Sequence, residues 1–211
     1  MVTRNVSNRR RNFGSSLVEF MVAAMLGGFA LVMVGGIYIS VQKSAAEKSK
    51  QLLLMQNINS ALQQLKEDVQ RAGFNGDLAN SAKYSDVVDV VHIDSTATLF
   101  GYVYKVVSAT SYEYRHVVYR YDNSSAKLSL CEKNHSEIIT FSVASTSGVM
   151  GNCFSIFDPH QIAVNDFTLN KYALINSVES AFIQIRLSAS LVDKPSVAHQ
   201  VEVNIKQRNW L

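Results

Sequence analysis

The feature that most constrains this chain is an uncharged run of 22 residues, Phe20 to Val41, without a single Lys, Arg, Asp, Glu or His. As a helix rising 1.5 Å per residue it would reach roughly 33 Å, enough to cross a hydrocarbon core of ~30 Å. The cluster Arg9-Arg10-Arg11 precedes the run, and one carboxylate, Glu19, stands at its threshold. Three readings compete. The run is a single-pass membrane anchor, a cleaved secretory signal, or a prepilin-type helix. A secretory signal has an apolar core of only ~7–15 residues. This run is longer, although Ser44-Ala45-Ala46 imitates a cut site.

The spacing around the run is more specific than the run itself. A basic leader ends at Gly14, and Glu19 follows five residues later, directly before the apolar stretch. This arrangement resembles the class III signal of type IV prepilins. The resemblance implies cleavage after Gly14 by a membrane aspartyl peptidase and methylation of the new N-terminal amine on Ser15. Many such proteins carry Phe at the first mature position, so Ser15 is a departure. Glu19 then matches the family's glutamate at the fifth mature position. The physical need for it is direct. Filament packing holds cationic N-termini in an apolar core, where an unpaired charge costs several kcal/mol, and a neighbour's carboxylate offsets that cost.

Charge and composition fit one globular domain behind one long helix. The formal net charge of +3 is misleading, because four of the 20 basic residues are Arg4, Arg9, Arg10 and Arg11. Without them 16 basic residues face 17 acidic ones, so bulk charge does not indicate nucleic acid binding. Basic residues ahead of the span favour a cytoplasmic N-terminus; Lys43, Lys48 and Lys50 beyond it oppose that signal. In a domain placed outside the inner membrane, the pair Cys131 and Cys153 points to a disulfide, the alternative being two separate buried thiols. No CxxC or paired His accompanies them, so no metal site is expected.

Beyond Val41 the chain turns polar but the helical period persists. Met55, Ile58, Leu62, Leu65, Val69 and Ala72 are spaced 3, 4, 3, 4 and 3, which predicts an apolar stripe on one face. The helix is expected from Ser15 to about Ala72, ending at Gly73. The alternative for the stripe is a coiled coil with another chain. Gly27-Gly28 and Gly35-Gly36 interrupt the apolar half and read as helix-packing positions or as points of weakness. The segment Glu67-Asp68-Val69-Gln70-Arg71-Ala72-Gly73-Phe74-Asn75-Gly76 is similar to the helix-end motif of PilW-like minor pilins.

From Asp86 the texture becomes strand-like. Expected strands are 86–93, 98–107, 111–121, 126–131, 137–143 and 152–157. The clearest follow: Ile183, Ile185, Leu187, Ala189 and Leu191 alternate with polar residues, as do Val201, Val203 and Ile205, around Asp193-Lys194-Pro195. That pattern predicts an antiparallel hairpin laid on the helical stripe. Two features invite a chemical reading. Asp86, Asp89 and Asp94 are close in sequence, but strand alternation does not bring all three together. The stretch with Tyr102, Tyr104, Lys105, Tyr112, Tyr114, Arg115, His116, Tyr119, Arg120 and Tyr121 suits single-stranded nucleic acid, sugar or protein contact, or a strand pair with no ligand. No catalytic constellation, phosphate loop or cofactor motif occurs, and the five histidines are scattered.

The expected organisation is therefore α+β with a type IV pilin-like fold, a long N-terminal helix packed on an antiparallel sheet domain. Residues 1–14 would be the leader, 15–41 the membrane and filament-core half of the helix, 42–72 its amphipathic half, and 73–211 the head. The resemblance implies a minor pilin that is not an enzyme and needs no cofactor. It would sit single-pass in the inner membrane with its head in the periplasm, and later in a pilus at the cell surface. Implied partners are other minor and major pilins, the prepilin peptidase, the inner-membrane pilus assembly platform, and lipid before extraction. A J-type pseudopilin of type II secretion and a stand-alone membrane-anchored periplasmic binding domain remain open.

Overall fold

The computed structural model describes residues 16–76, 80–107, 112–146, 153–174 and 180–207. They form a long helix and two antiparallel sheets, an α+β arrangement. Helix α1 is continuous over Leu17–Arg71, passing through both glycine pairs without a break. Two compact units are distinguished, one ending at Ser49 and one beginning at Lys50.

The unit from Lys50 contains the core. Leu54, Ile58, Leu62, Leu65 and Val69 form the buried stripe of α1, and Ala72 extends it just past the helix end. Its first member is Leu54, whereas Met55 is only half-buried; a spacing of 4, 4, 3, 4, 3 tracks the 3.6-residue period as well as the expected one does. The helix ends where Gly73 adopts φ +80°, a left-handed conformation that glycine takes without strain. The chain then joins a sheet at once. Gly73 N–H donates to Val103 O at 2.8 Å and Lys105 N–H to Phe74 O at 2.7 Å. The helix-end segment thus fastens α1 to strand β2 (Leu99–Val107).

The first sheet is a meander of β1 (Val91–Ile93), β2, β3 (Tyr112–Asp122), β4 (Lys127–His135) and β5 (Phe154–Ser155), paired in that order. Period-two alternation gives it two apolar faces. Phe100, Tyr102, Tyr104, Val117, Tyr119, Leu128 and Leu130 face the core shared with α1. Val103, Val118 and Cys131 face a smaller cluster with Tyr84 and Phe141. A short helix, α2 (Phe141–Ala144), lies in that second cluster. The second sheet is β6 (Ile162–Leu174), β7 (Ser180–Leu191) and β8 (Ala198–Lys206), in the order β6-β7-β8. Ile183, Ile185, Leu187, Ala189 and Leu191 of β7 are buried, and Ile205 of β8 joins them in the core cluster with the α1 stripe. The expected hairpin and its apolar face are both present.

Three expectations need correction. Segment 137–143 is not a strand. Thr140 caps α2 by accepting Val143 N–H at 3.3 Å, so the Ile138-Ile139-Thr140-Phe141 run, β-like in composition, turns helical at its end. Segment 86–93 keeps only Val91–Ile93 as strand; at its start the Asp86 carboxylate accepts Phe141 N–H at 2.7 Å, a side-chain bond in place of a strand ladder. Among the described residues of segment 152–157, only Phe154–Ser155 is strand. The long strand β6 has no clear signal in the sequence. A bulge between Val164 and Asp166 shifts its buried set from Ile162 and Val164 to Phe167 and Leu169, which breaks the alternation that marks a strand.

Candidate assembly site

The apolar run lies on α1, and every residue from Ser16 to Leu53 is exposed. Phe20, Leu31 and Val32 are 73–75% exposed, values far from those of a soluble core helix. By length and composition α1 can cross a membrane. An exposed apolar surface of this extent is unfavourable in water, so the run needs lipid or other helices around it.

Glu19 sits in the first turn of α1. Its Oε2 accepts the backbone N–H of Ser16 at 2.9 Å, while Ser16 Oγ accepts Val18 N–H at 3.2 Å. This is a variant of the Ser-x-x-Glu capping box, with the hydroxyl on the second helical N–H, and it satisfies backbone donors that a helix start leaves unpaired. A negative side chain there also complements the positive end of the helix dipole. The sequence reading gives Glu19 a role between chains and misses its local role as half of a cap, although Ser16-Leu17-Val18-Glu19 carries that signal. Gly14 and Ser15, the implied processing residues, and the leader 1–14 lie outside the described residues.

Cys131 and Cys153 form a disulfide, with Cys131 fully buried on β4. The bond closes a loop that contains α2. Asp86, His116 and Arg120 hold that loop from outside. Asp86 takes Phe141 N–H, His116 takes Ile139 N–H at 3.1 Å, and Arg120 Nη2 donates to Ser145 O at 2.5 Å. The sequence alone assigns none of the three this role.

Part of the tyrosine-rich stretch is interior, whereas Tyr114 and Tyr121 are half-buried. Tyr102, Tyr104 and Tyr119 are buried in the core, with Tyr119 stacked on Phe100 at 4.8 Å between centroids. Arg115 is paired with Glu132 at 2.5 Å. Beside these rings Asp68 of α1 is buried. Burial raises its carboxyl above the usual range, and this outweighs the pull of Arg115 and of Arg71, whose Nη1 lies 3.5 Å away. The three aspartates considered for a cation are dispersed. Asp86 binds Phe141 N–H, Asp89 pairs with Lys171 at 2.6 Å, and Asp94 accepts Leu99 N–H at 2.7 Å. Among the described residues no cluster of His, Cys, Asp or Glu could hold a metal ion.

A family model described as PpdB, prepilin peptidase-dependent protein B, matches residues 47–207. The chain belongs to the prepilin peptidase-dependent protein B family. No curated protein and no solved structure matches the chain. The match covers the buried part of α1 and both sheets of this PpdB-family protein. The Gly14–Glu19 spacing and the run Phe20–Val41 lie before it, so two separate parts of the chain point to a prepilin-related protein.

Proposed function

We propose that this protein is a minor type IV pilin, similar to the PilW type, that works by assembly and not by catalysis. The observation that carries the reading is the single carboxylate, Glu19, at the start of an exposed membrane-length apolar helix, five residues after Gly14. In this account the peptidase cuts after Gly14, the helix tethers the subunit in the inner membrane, and the same apolar surface then packs among neighbouring helices. Glu19 compensates a neighbour's N-terminal amine, which would otherwise be a buried unpaired charge. Its Oε2 holds the cap on Ser16, which leaves the second oxygen for the incoming amine. The disulfide-bearing head contacts other pilins.

The test is Glu19→Gln. Glutamine also serves at the third position of a capping box, so the helix start is retained while the charge is lost. Membrane insertion should be normal and recovery in sheared pilus fractions should fall. Equal incorporation of Glu19→Gln and the natural chain would show that the carboxylate has no role between subunits.

A further inference from the structure

His116 lies on β3, wholly buried, on the sheet face that carries the second apolar cluster. Its two ring nitrogens have different partners. Nε2 receives Ile139 N–H at 3.1 Å, so it bears no proton. Nδ1 lies 3.2 Å from Lys133 O and donates its proton there. The ring is therefore the neutral Nδ1–H tautomer, fixed from both sides. Ile139 belongs to the disulfide-closed loop, two residues ahead of α2. Its carbonyl accepts Ser85 N–H at 3.4 Å. The loop thus enters α2 with the Ile139 N–H on the imidazole lone pair and the Phe141 N–H on Asp86.

We propose that His116 is an acid-operated latch on the disulfide loop. While neutral, it holds Ile139 against the sheet. A second proton on Nε2 would set N–H against N–H, remove the hydrogen bond, and place an uncompensated charge in an apolar site. The loop entry then lifts, carrying α2 away from Tyr84 and His92, on which Phe141 packs edge-on at 5.3 and 4.6 Å. The disulfide keeps the loop tethered.

The backbone carbonyls of Lys133 and Tyr114 favour the charged ring, but burial outweighs them. From β4, Lys133 and His135 bear on it with positive or potentially positive charge. The segment before β1 contributes the Tyr84 ring, 5.8 Å away, and Asp86, whose carboxylate is engaged by Phe141 N–H. Opposite on β2 stands Val103, which is apolar. Glu137, at the start of the loop, is exposed. On β3 itself Arg115 is paired with Glu132. Burial, first among the causes, accordingly holds the imidazole below its ordinary value.

The test is amide hydrogen exchange on the full-length protein in detergent between pH 8 and pH 5, corrected for intrinsic rates. If the opened ring titrates near ~6.5 and the closed ring stays neutral at pH 5, opening there is favoured by up to about 30-fold over pH 8. Ile139 and Phe141 should lose that much protection while the amides of β7 keep theirs. His116→Gln presents an acceptor that does not titrate, and its protection should be flat with pH. Retained protection at pH 5, an equal loss in His116→Gln, or a loss shared with β7 would each overturn the latch. If His116→Gln does not fold, imidazole nitrogen shifts of the natural protein decide. A ring that protonates in step with loop exchange supports the proposal; a ring still neutral when the loop has opened overturns it.

Discussion

Gly101→Ala sets two physical effects of opposite sign against each other. Gly101 lies within β2, between two strands, opposite Val118 of β3 on one side and His92 of β1 on the other. An alanine restricts the unfolded chain more than glycine does, which alone would stabilise a strand position by roughly 0.5–1 kcal/mol. The site has no room for it. A Cβ there would lie 2.6 Å from Val117 O, 2.9 Å from Phe141 Cε2 and 3.0 Å from Val118 Cγ2. Phe141 could shift, at the expense of its contacts with Tyr84 and His92. The Val117 oxygen is backbone of the adjoining strand and cannot rotate away; it also accepts the Tyr84 hydroxyl at 2.9 Å. Overpacking of this kind costs ~1–3 kcal/mol, so the net change should be a destabilisation of about 1–2 kcal/mol. Urea unfolding of the full-length protein in detergent, followed by circular dichroism, measures it. Phe141→Ala should cost ~3 kcal/mol or more alone. The double variant should fall short of the sum, because the clash with the ring disappears when the ring does. A Gly101→Ala protein as stable as the natural one, or more so, would refute the packing argument.

Other expectations follow from the same contacts. Leu62→Ala, at a site 4% exposed on the α1 stripe, should lower unfolding free energy by ~2–5 kcal/mol in the same assay. Replacing both Cys131 and Cys153 by serine should cost about 3 kcal/mol, from the unfolded-state entropy of a 22-residue separation. Asp68 has a raised carboxyl, so its contribution is greatest below the unfolded value of ~3.9 and is lost as pH rises through the folded one. Asp68→Asn should therefore flatten the stability profile above pH ~4; an unchanged slope would show that the buried carboxyl does not titrate there.

Much of the fold is legible because burial imposes simple periods. The stripe from Ile58 to Ala72 and the β7 alternation from Ile183 to Leu191 each follow from one face meeting one core. The reading fails where a single residue resets the pattern. The bulge at Val164/Asp166 conceals β6, and the Thr140 cap turns a β-like run into α2. Tyr102, Tyr104 and Tyr119 carry no outward mark of their burial, since composition does not say which face of a strand is covered. At the candidate assembly site, Glu19 is conspicuous as the lone carboxylate beside an apolar run. His116 is not, because its role depends on Ile139, 23 residues away, which only the folded loop brings to it.

The central claim, that the apolar helix belongs to a processed subunit, is tested most directly by intact-mass and N-terminal peptide analysis of the protein expressed with a prepilin peptidase. The account predicts a chain that begins at Ser15, with or without a methyl group on its amine. A chain that keeps residues 1–14 when the peptidase is active on a control substrate would contradict it.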